Sequence, residues 1–415
     1  MNERAIPTTS VDVAVLGGGI VGLGIAWAVA QTGRRVTVID AAPATGATEA
    51  AAGMLAPVSE LHYQEEHLLA LMLASATLYP GFIESLAPFA DDTGYQKNRT
   101  IMVGADAADR RALADLRQVQ TSHGLTVDAL TIREAREREP FLSPQLSSAS
   151  SIEQDHQVDP RRLATALMTA LTKTAAASSN GQNPFVYQNA ERLLHADTDT
   201  DTDTNSSRVT GVVLSDGSII EAAEVIVANG LAAAQLGSLP NTLQLPLRPV
   251  LGDIIRLRVP EHLRPLVTAT IRGLVRGVPV YLVPRADGTL VIGATQREDG
   301  NAGISAGGIH QLLRDAQTLV PAVAELEIIE VMARARPGTP DNAPLLGRVR
   351  GENGEAHATV PGLLIATGFF RHGVLLMPVA AQICVDLLDG VTDSRWQRFA
   401  PDRFSPTLTA KAATL

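Results

Sequence analysis

The residues near the start of the chain best suited to chemistry are glycines. Gly17-Gly18-Gly19-Ile20-Val21-Gly22 is a G-x-G-x-x-G run that follows the buried-strand pattern Val13-Ala14-Val15-Leu16 and opens an apolar helix over Leu23 to Gln31. Gly33 ends that helix, and Val36-Thr37-Val38-Ile39-Asp40 is a second strand that closes on an acid. In this strand, helix, strand context Gly17 permits a tight turn, Gly19 lets backbone approach a pyrophosphate, and Gly22 lets the helix pack close to the sheet. The helix N-terminus around Ile20 and Val21 supplies amide donors for the anion. Asp40 can accept hydrogen bonds from ribose hydroxyls and disfavours a 2′-phosphate, which argues against NADP. The motif alone leaves NAD and FAD both open.

Other reactive types are present in patterns that lack the right context. Gly303-Ile304-Ser305-Ala306-Gly307 matches G-x-S-x-G, with Asp341 and His372 following in serine-hydrolase order. A nucleophile elbow needs a buried strand before the serine, whereas Gln296 to Asn301 is a polar loop, so Ser305 is expected to precede a helix around Ile309 to Leu319. His62 and His67 miss the i, i+4 spacing of a helical metal pair. Cys384, the only cysteine, lies in an apolar helical pattern and reads as packing. It excludes an intramolecular disulfide and a multi-thiolate metal site, and no metal is expected.

These groups need a sizeable scaffold to hold them. The 415 residues suggest two to three domains at about 150 residues each, and 45% hydrophobic residues supply a large core. A formal charge of -10 without a local basic cluster speaks against nucleic acid and anionic lipid. Val13 to Ala30 could pass for a signal peptide, but five glycines and Asp12 fit a folded element better, and no other segment is expected to span a membrane. A cytoplasmic location follows. Thr45 to Pro57 is a loop of small residues, and Val225-Ile226-Val227-Ala228-Asn229-Gly230 and Leu363-Leu364-Ile365-Ala366-Thr367-Gly368 are strands ending in glycine, as chain passing close to a cofactor requires. Asp159-Pro160 starts an amphipathic helix through Leu163, Leu167 and Leu171. Candidate strands are Val186 to Leu194, Val209 to Ile220, Leu247 to Val259, Val278 to Val283 and Thr289 to Ala294, the last two forming a hairpin through Ala286-Asp287-Gly288. The alternating Asp and Thr of 197–205 reads as a solvated hairpin tip, and the tail after Trp396 as loosely held.

Taken in order, Ala51-Ala52-Gly53-Met54-Leu55-Ala56-Pro57, Gln157-Val158-Asp159-Pro160-Arg161-Arg162-Leu163, Val280-Tyr281-Leu282-Val283-Pro284-Arg285, Val291-Ile292-Gly293-Ala294-Thr295, Arg336-Pro337-Gly338-Thr339-Pro340-Asp341 and Gly368-Phe369-Phe370-Arg371-His372-Gly373 resemble the D-amino-acid oxidase family of FAD oxidoreductases, above all its glycine-oxidising members. The likeness spans nearly the whole chain. It implies an α/β (α+β overall) fold with a Rossmann-like FAD-binding domain of discontinuous segments, 1–90, 150–245 and 336–395. An antiparallel-sheet substrate domain, 91–149 and 246–335, is inserted, and 396–415 is a tail. It also implies non-covalent FAD, oxidation of a small amino acid to its imine, hydrolysis to an oxo acid and ammonia, and reoxidation by O2 to hydrogen peroxide. A homo-tetramer and a hand-off to a thiazole synthase are implied by the same likeness.

The resemblance implies that Arg336 grips the substrate carboxylate, a task for a planar bidentate guanidinium, or else pairs internally with Asp341. It puts Tyr281 and Arg371 beside it as catalytic residues, and Met54 and Gln296 in the substrate pocket. Gly17, Gly19, Ile20, Val21, Gly22, Asp40, Ala52, Gly53, Met54, Gly230, Gly368, Arg371, His372, Gly373 and Val374 are the expected cofactor contacts. Gln296 stands where a methionine is common, Phe369 where a histidine is, and His372 replaces an asparagine. Glycine, sarcosine and a small D-amino acid therefore stay open as substrates, because one methylene of pocket space is worth only about 1–3 kcal/mol. A flavoprotein without catalysis is the alternative from another class.

Overall fold

The computed structural model describes residues 8–177, 183–196, 207–350 and 359–405. The chain opens with β1 (Thr8–Leu16), α1 (Ile20–Gln31) and β2 (Val36–Ile39), then α2 (Ala47–Ala50), β3 (Met54–Leu55) and α3 (Leu69–Leu86). It leaves for β4 (Thr100–Gly104), α4 (Ala107–Ser122), β5 (Asp128–Leu130), α5 (Ile132–Arg138) and β6 (Ser148–Ile152). It returns through β7 (His156–Gln157), α6 (Pro160–Ala177), β8 (Phe185–Val186), β9 (Ala190–His195), β10 (Val209–Leu214) and β11 (Ile219–Val227). A second excursion holds β12 (Arg248–Arg258), β13 (Thr270–Val275), β14 (Val278–Pro284), β15 (Thr289–Gly293), α7 (Ala306–Leu319) and β16 (Glu327–Gly338). The last return is β17 (Leu345–Arg350), β18 (Thr359–Thr367) and α8 (Gly373–Leu388).

The returning pieces make one sheet in the order β17-β18-β11-β1-β2-β8, with β10 and β9 added beside β11. Its centre is parallel, Leu16 lying opposite both Ile39 and Val227, and Val225 opposite Leu363. Parallel strands must be covered on both faces, and β1 and β11 accordingly end in the apolar runs Val13-Ala14-Val15-Leu16 and Val225-Ile226-Val227. Helix α1 is apolar all round because it is enclosed: Gly24 leaves room for Met377 of α8, whose sulfur lies 2.2 Å from where a Cβ would sit.

The two excursions build the other sheet, in the order β16-β12-β15-β14-β13-β4-β6-β5. Its pairs are antiparallel except β4 with β13, where the two excursions meet, so the expected antiparallel sheet is in fact mixed. The span 209–220 is two strands separated by a turn at Gly217, not one. Segment 66–86 is long and apolar enough by length and composition to cross a membrane. Here it is a core helix: Ser75 donates to the Leu375 carbonyl at 2.6 Å and the Tyr79 hydroxyl to the Val374 carbonyl at 3.1 Å. The stretch after Trp396 is anchored as far as Ser405, since Phe399 and Asp402 are buried, Asp402 pairs with Arg350, and Arg403 pairs with Asp341. The Asp/Thr run of 197–205 lies outside the described residues.

Candidate active site

A single cavity of about 440 Å³ runs from Asp40 at the end of β2, along the glycine turn, to the face of the second sheet. At its first end Gly17 has φ +108°, and a Cβ there would lie 2.6 Å from the Ala228 carbonyl oxygen. Only glycine permits both the conformation and the contact. The turn is clamped from two sides. Asp40 accepts from the Gly18 amide at 2.6 Å and the Ala42 amide at 2.8 Å, and Thr48 Oγ1 accepts from the Ile20 amide at 2.9 Å. Gly19, Ile20 and Val21 line the cavity, while Gly22 sits behind it, where a Cβ would meet the Gly17 carbonyl at 2.0 Å.

Along the middle, Ala52, Gly53 and Met54 form one wall. Gly53 has φ +74°, and its carbonyl accepts from the Val158 amide at 2.9 Å. Arg285, buried at the end of β14, donates to the Val158 and Ala52 carbonyls and so ties this wall to the second sheet. Gly230 and Gly368 follow β11 and β18 with positive φ and, with Gly373 and Val374 of α8, complete it. These residues fit FAD: a glycine turn at a helix N-terminus, an acid at the strand end, and a cavity continuous with the second sheet suit an extended dinucleotide.

The far end is one face of the second sheet. In a strand alternate residues share a face, and the register lines up Arg272, Tyr281, Gly293 and Ile254 across four strands, with Gly252, Arg334 and Arg336 two and four positions along. Tyr281 and Arg336 each lie over a glycine. A Cβ on Gly293 would be 2.3 Å from the Tyr281 hydroxyl, and one on Gly252 would be 2.3 Å from Arg336 Nη1. Burial raises the Tyr281 pKa against the pull of Arg336, so the phenol keeps its proton. Gln296 lines the exposed rim.

Four guanidinium groups line this cavity among the described residues. Arg272 pairs with Glu60, Arg334 with Glu49 and Arg371 with Glu65. Arg336 has no carboxylate within ion-pair distance among the described residues, and its Nη1 reaches only the Thr295 carbonyl at 3.4 Å. Asp341, the internal partner considered for it, is taken by Arg403. Arg371 is on the wall, stacked over Phe370 at 5.2 Å, but its charge is already met by Glu65. His372 lies off the cavity, 1% exposed, with neither ring nitrogen hydrogen-bonded and Nδ1 3.6 Å from Glu60. Burial, with Arg371 beside it, pushes its pKa down to about 3, so the imidazole is neutral.

Sequence reasoning missed Glu60, His62 and Arg272, which line the far end of the cavity. Burial would raise Glu60, but the guanidinium groups of Arg272 and Arg371 bring it down to about 2, while burial pushes His62 to about 4. Thr48 was also passed over, although a hydroxyl near a G-x-G-x-x-G turn is a usable signal. Ser305 is the N-cap of α7, accepting from the Gly308 amide at 3.1 Å, which accounts for the G-x-S-x-G match.

A glycine-turn parallel sheet facing a second, mostly antiparallel sheet across one cavity is the architecture of a dinucleotide-dependent oxidoreductase. Residues 12–387 match the family model described as FAD dependent oxidoreductase (DAO), and the chain belongs to that family. It is 31% identical over 404 residues to the bifunctional protein ThiO/ThiG of Synechocystis sp., covering 96% of this chain and 55% of that one. The chain thus spans about half the length of that relative. It is 30% identical to the glycine oxidase of Geobacillus kaustophilus over 91% of this chain and 93% of that one. The crystal structure of glycine oxidase from Geobacillus kaustophilus superposes with a TM-score of 0.79 at 29% identity, covering 94% of this chain and 98% of that one.

Proposed function

We propose that this chain oxidises a small amino monocarboxylate, with glycine as the first substrate and sarcosine or a small D-amino acid as alternatives. The observation that carries this reading is the charge arrangement at the cavity: three guanidinium groups are paired and Arg336 is not. One free guanidinium takes one carboxylate, and the protonated Tyr281 hydroxyl can donate a further bond to it. Arg336 and Tyr281 thereby orient the substrate α-carbon toward the Ala52 to Met54 wall. FAD, when bound, supplies the hydride acceptor and passes the electrons to O2, giving hydrogen peroxide. The substrate loses a hydride from Cα and a proton from nitrogen to become an imine, which water converts to an oxo acid and ammonia. Names of relatives that include glycine oxidase and ThiO/ThiG support this substrate and support supplying a thiazole synthase.

In the same reading 1–90, 150–245 and 336–395 chiefly hold the cofactor and 91–149 with 246–335 chiefly hold the substrate, although β6 and β16 of the second sheet run across the bounds at 150 and 336 and carry Arg336 to the substrate side. A cytoplasmic homo-tetramer is the assembly proposed by likeness. Peroxide release from the purified protein, measured over glycine, sarcosine and both enantiomers of alanine and proline, tests the function. Turnover of glycine or sarcosine supports it, and no release from any of the six removes it.

A further inference from the structure

We infer that Asp253 is a positioning residue for the carboxylate-binding end of the site, acting from behind the sheet through Thr295 on Arg336. The inference rests on Arg336 binding the substrate acid as proposed above. Asp253 lies between Gly252 and Ile254 on β12, and those two face the cavity. Alternation therefore turns Asp253 to the opposite face, toward α7, where its Oδ2 lies 2.8 Å from where a Cβ on Gly308 would be. It is fully buried.

An isolated carboxylate in such a place would be costly, but this one receives four donors. Thr295 Oγ1 donates to Oδ2 at 2.5 Å, and Arg297 donates through Nε to Oδ2 and through Nη2 to Oδ1, both at 3.1 Å. The Ser305 amide donates to Oδ1 at 3.1 Å. The backbone repeats the fastening, with Asp253 N–H donating to Thr295 Oγ1 at 2.7 Å and Arg297 exchanging both backbone bonds with Leu251 at 2.8 and 2.9 Å. Arg297 carries the tie onward to the Asn301 and Gly303 carbonyls. The loop after β15 is thus pinned to β12 at Asp253, and what it presents to the cavity is Ala294, Thr295 and Gln296.

The Thr295 carbonyl is the hydrogen-bond acceptor that Arg336 reaches. With Gly252 beneath the guanidinium and this carbonyl beside it, Arg336 is steered without being neutralised, which leaves its charge for the substrate. Replacing one Asp253 oxygen by an amide would set a donor against donors and free the loop.

The test uses the FAD-loaded protein and acetate as the probe, followed through the bound-flavin absorbance, alongside glycine kinetics. Asp253→Asn is expected to raise the acetate Kd and the glycine KM about tenfold, with kcat within about twofold and the flavin spectrum unchanged. On an Arg336→Met background the same change is expected to add less than about twofold, because its route to the ligand is gone. An unchanged Kd for Asp253→Asn, or the same factor on both backgrounds, overturns the inference. An Arg336→Met protein that binds acetate as the wild type does overturns the assignment of Arg336 instead. If Asp253→Asn does not fold, Thr295→Val removes the hydroxyl that donates to Asp253 Oδ2 and accepts from its backbone N–H, and is expected to raise the Kd about threefold, and no change there overturns the inference equally.

Discussion

Arg336 and Tyr281 are held over glycines, and this makes their roles separable by substitution. Arg336→Ala should lower kcat/KM by about 2–3 kcal/mol through the lost charge-assisted pair, as steady-state kinetics on glycine would show. Gly252→Ala puts a methyl group 2.3 Å from Nη1 and should raise KM about tenfold by displacing the guanidinium while leaving cofactor content intact. A KM within twofold of wild type would mean that the guanidinium does not rest there. The two groups could be read from the chain because each sits in an ordered motif. Glu60, His62 and Arg272 could not, since they meet only when a segment with no periodicity folds against β13, and their partners are more than 200 positions apart in sequence. Arg371 was half legible: the motif put it on the wall, and Glu65, which neutralises it, carries no signal of its own.

Helix α8 begins at His372, which supplies no side-chain cap and stays neutral when folded. A histidine whose folded pKa is depressed contributes stability above its unfolded value near 6.5 that is lost as pH falls toward the folded value. His62, pushed to about 4, has the same sign, whereas Asp155, raised by burial to about 6, opposes them below that pH. Comparing His372→Asn with wild type isolates one group. Asparagine is a favoured N-cap, so the variant should be at least as stable at pH 7 and should lose about 1–2 kcal/mol less between pH 7 and pH 5 in urea unfolding. Parallel curves for the two proteins would show that His372 is not held neutral. Local pattern foretold α1, α6, α7 and the β14–β15 hairpin, whose periodicity or turn chemistry is contained in each segment. It misjudged 209–220, where a short turn joins two strands of like composition.

Between the two sheets the cavity joins a cofactor cradle to a single free cation, and no unpaired carboxylate faces it at the substrate end among the described residues. For the proposed amino-acid substrate, hydride can leave carbon only when the nitrogen lone pair is free, so the ammonium must first lose its proton and kcat/KM for glycine should climb with pH through the alkaline range. A flat profile from pH 6 to about 10 would contradict this. The discontinuous fold was readable because distant strands both end in glycine at one cofactor. The anchored tail was not, since Asp402 and Arg403 look like loop residues until Arg350 and Asp341 are placed beside them.

The most direct measurement is anaerobic titration of the FAD-loaded protein with glycine, in wild type and Arg336→Ala, followed at the flavin absorbance band. Wild type should bleach, and the variant should bleach about 30–150-fold more slowly at the same subsaturating glycine concentration while still bleaching at once with dithionite. Equal bleaching of both proteins, or none in the wild type with any small amino acid, would contradict the assignment of this cavity.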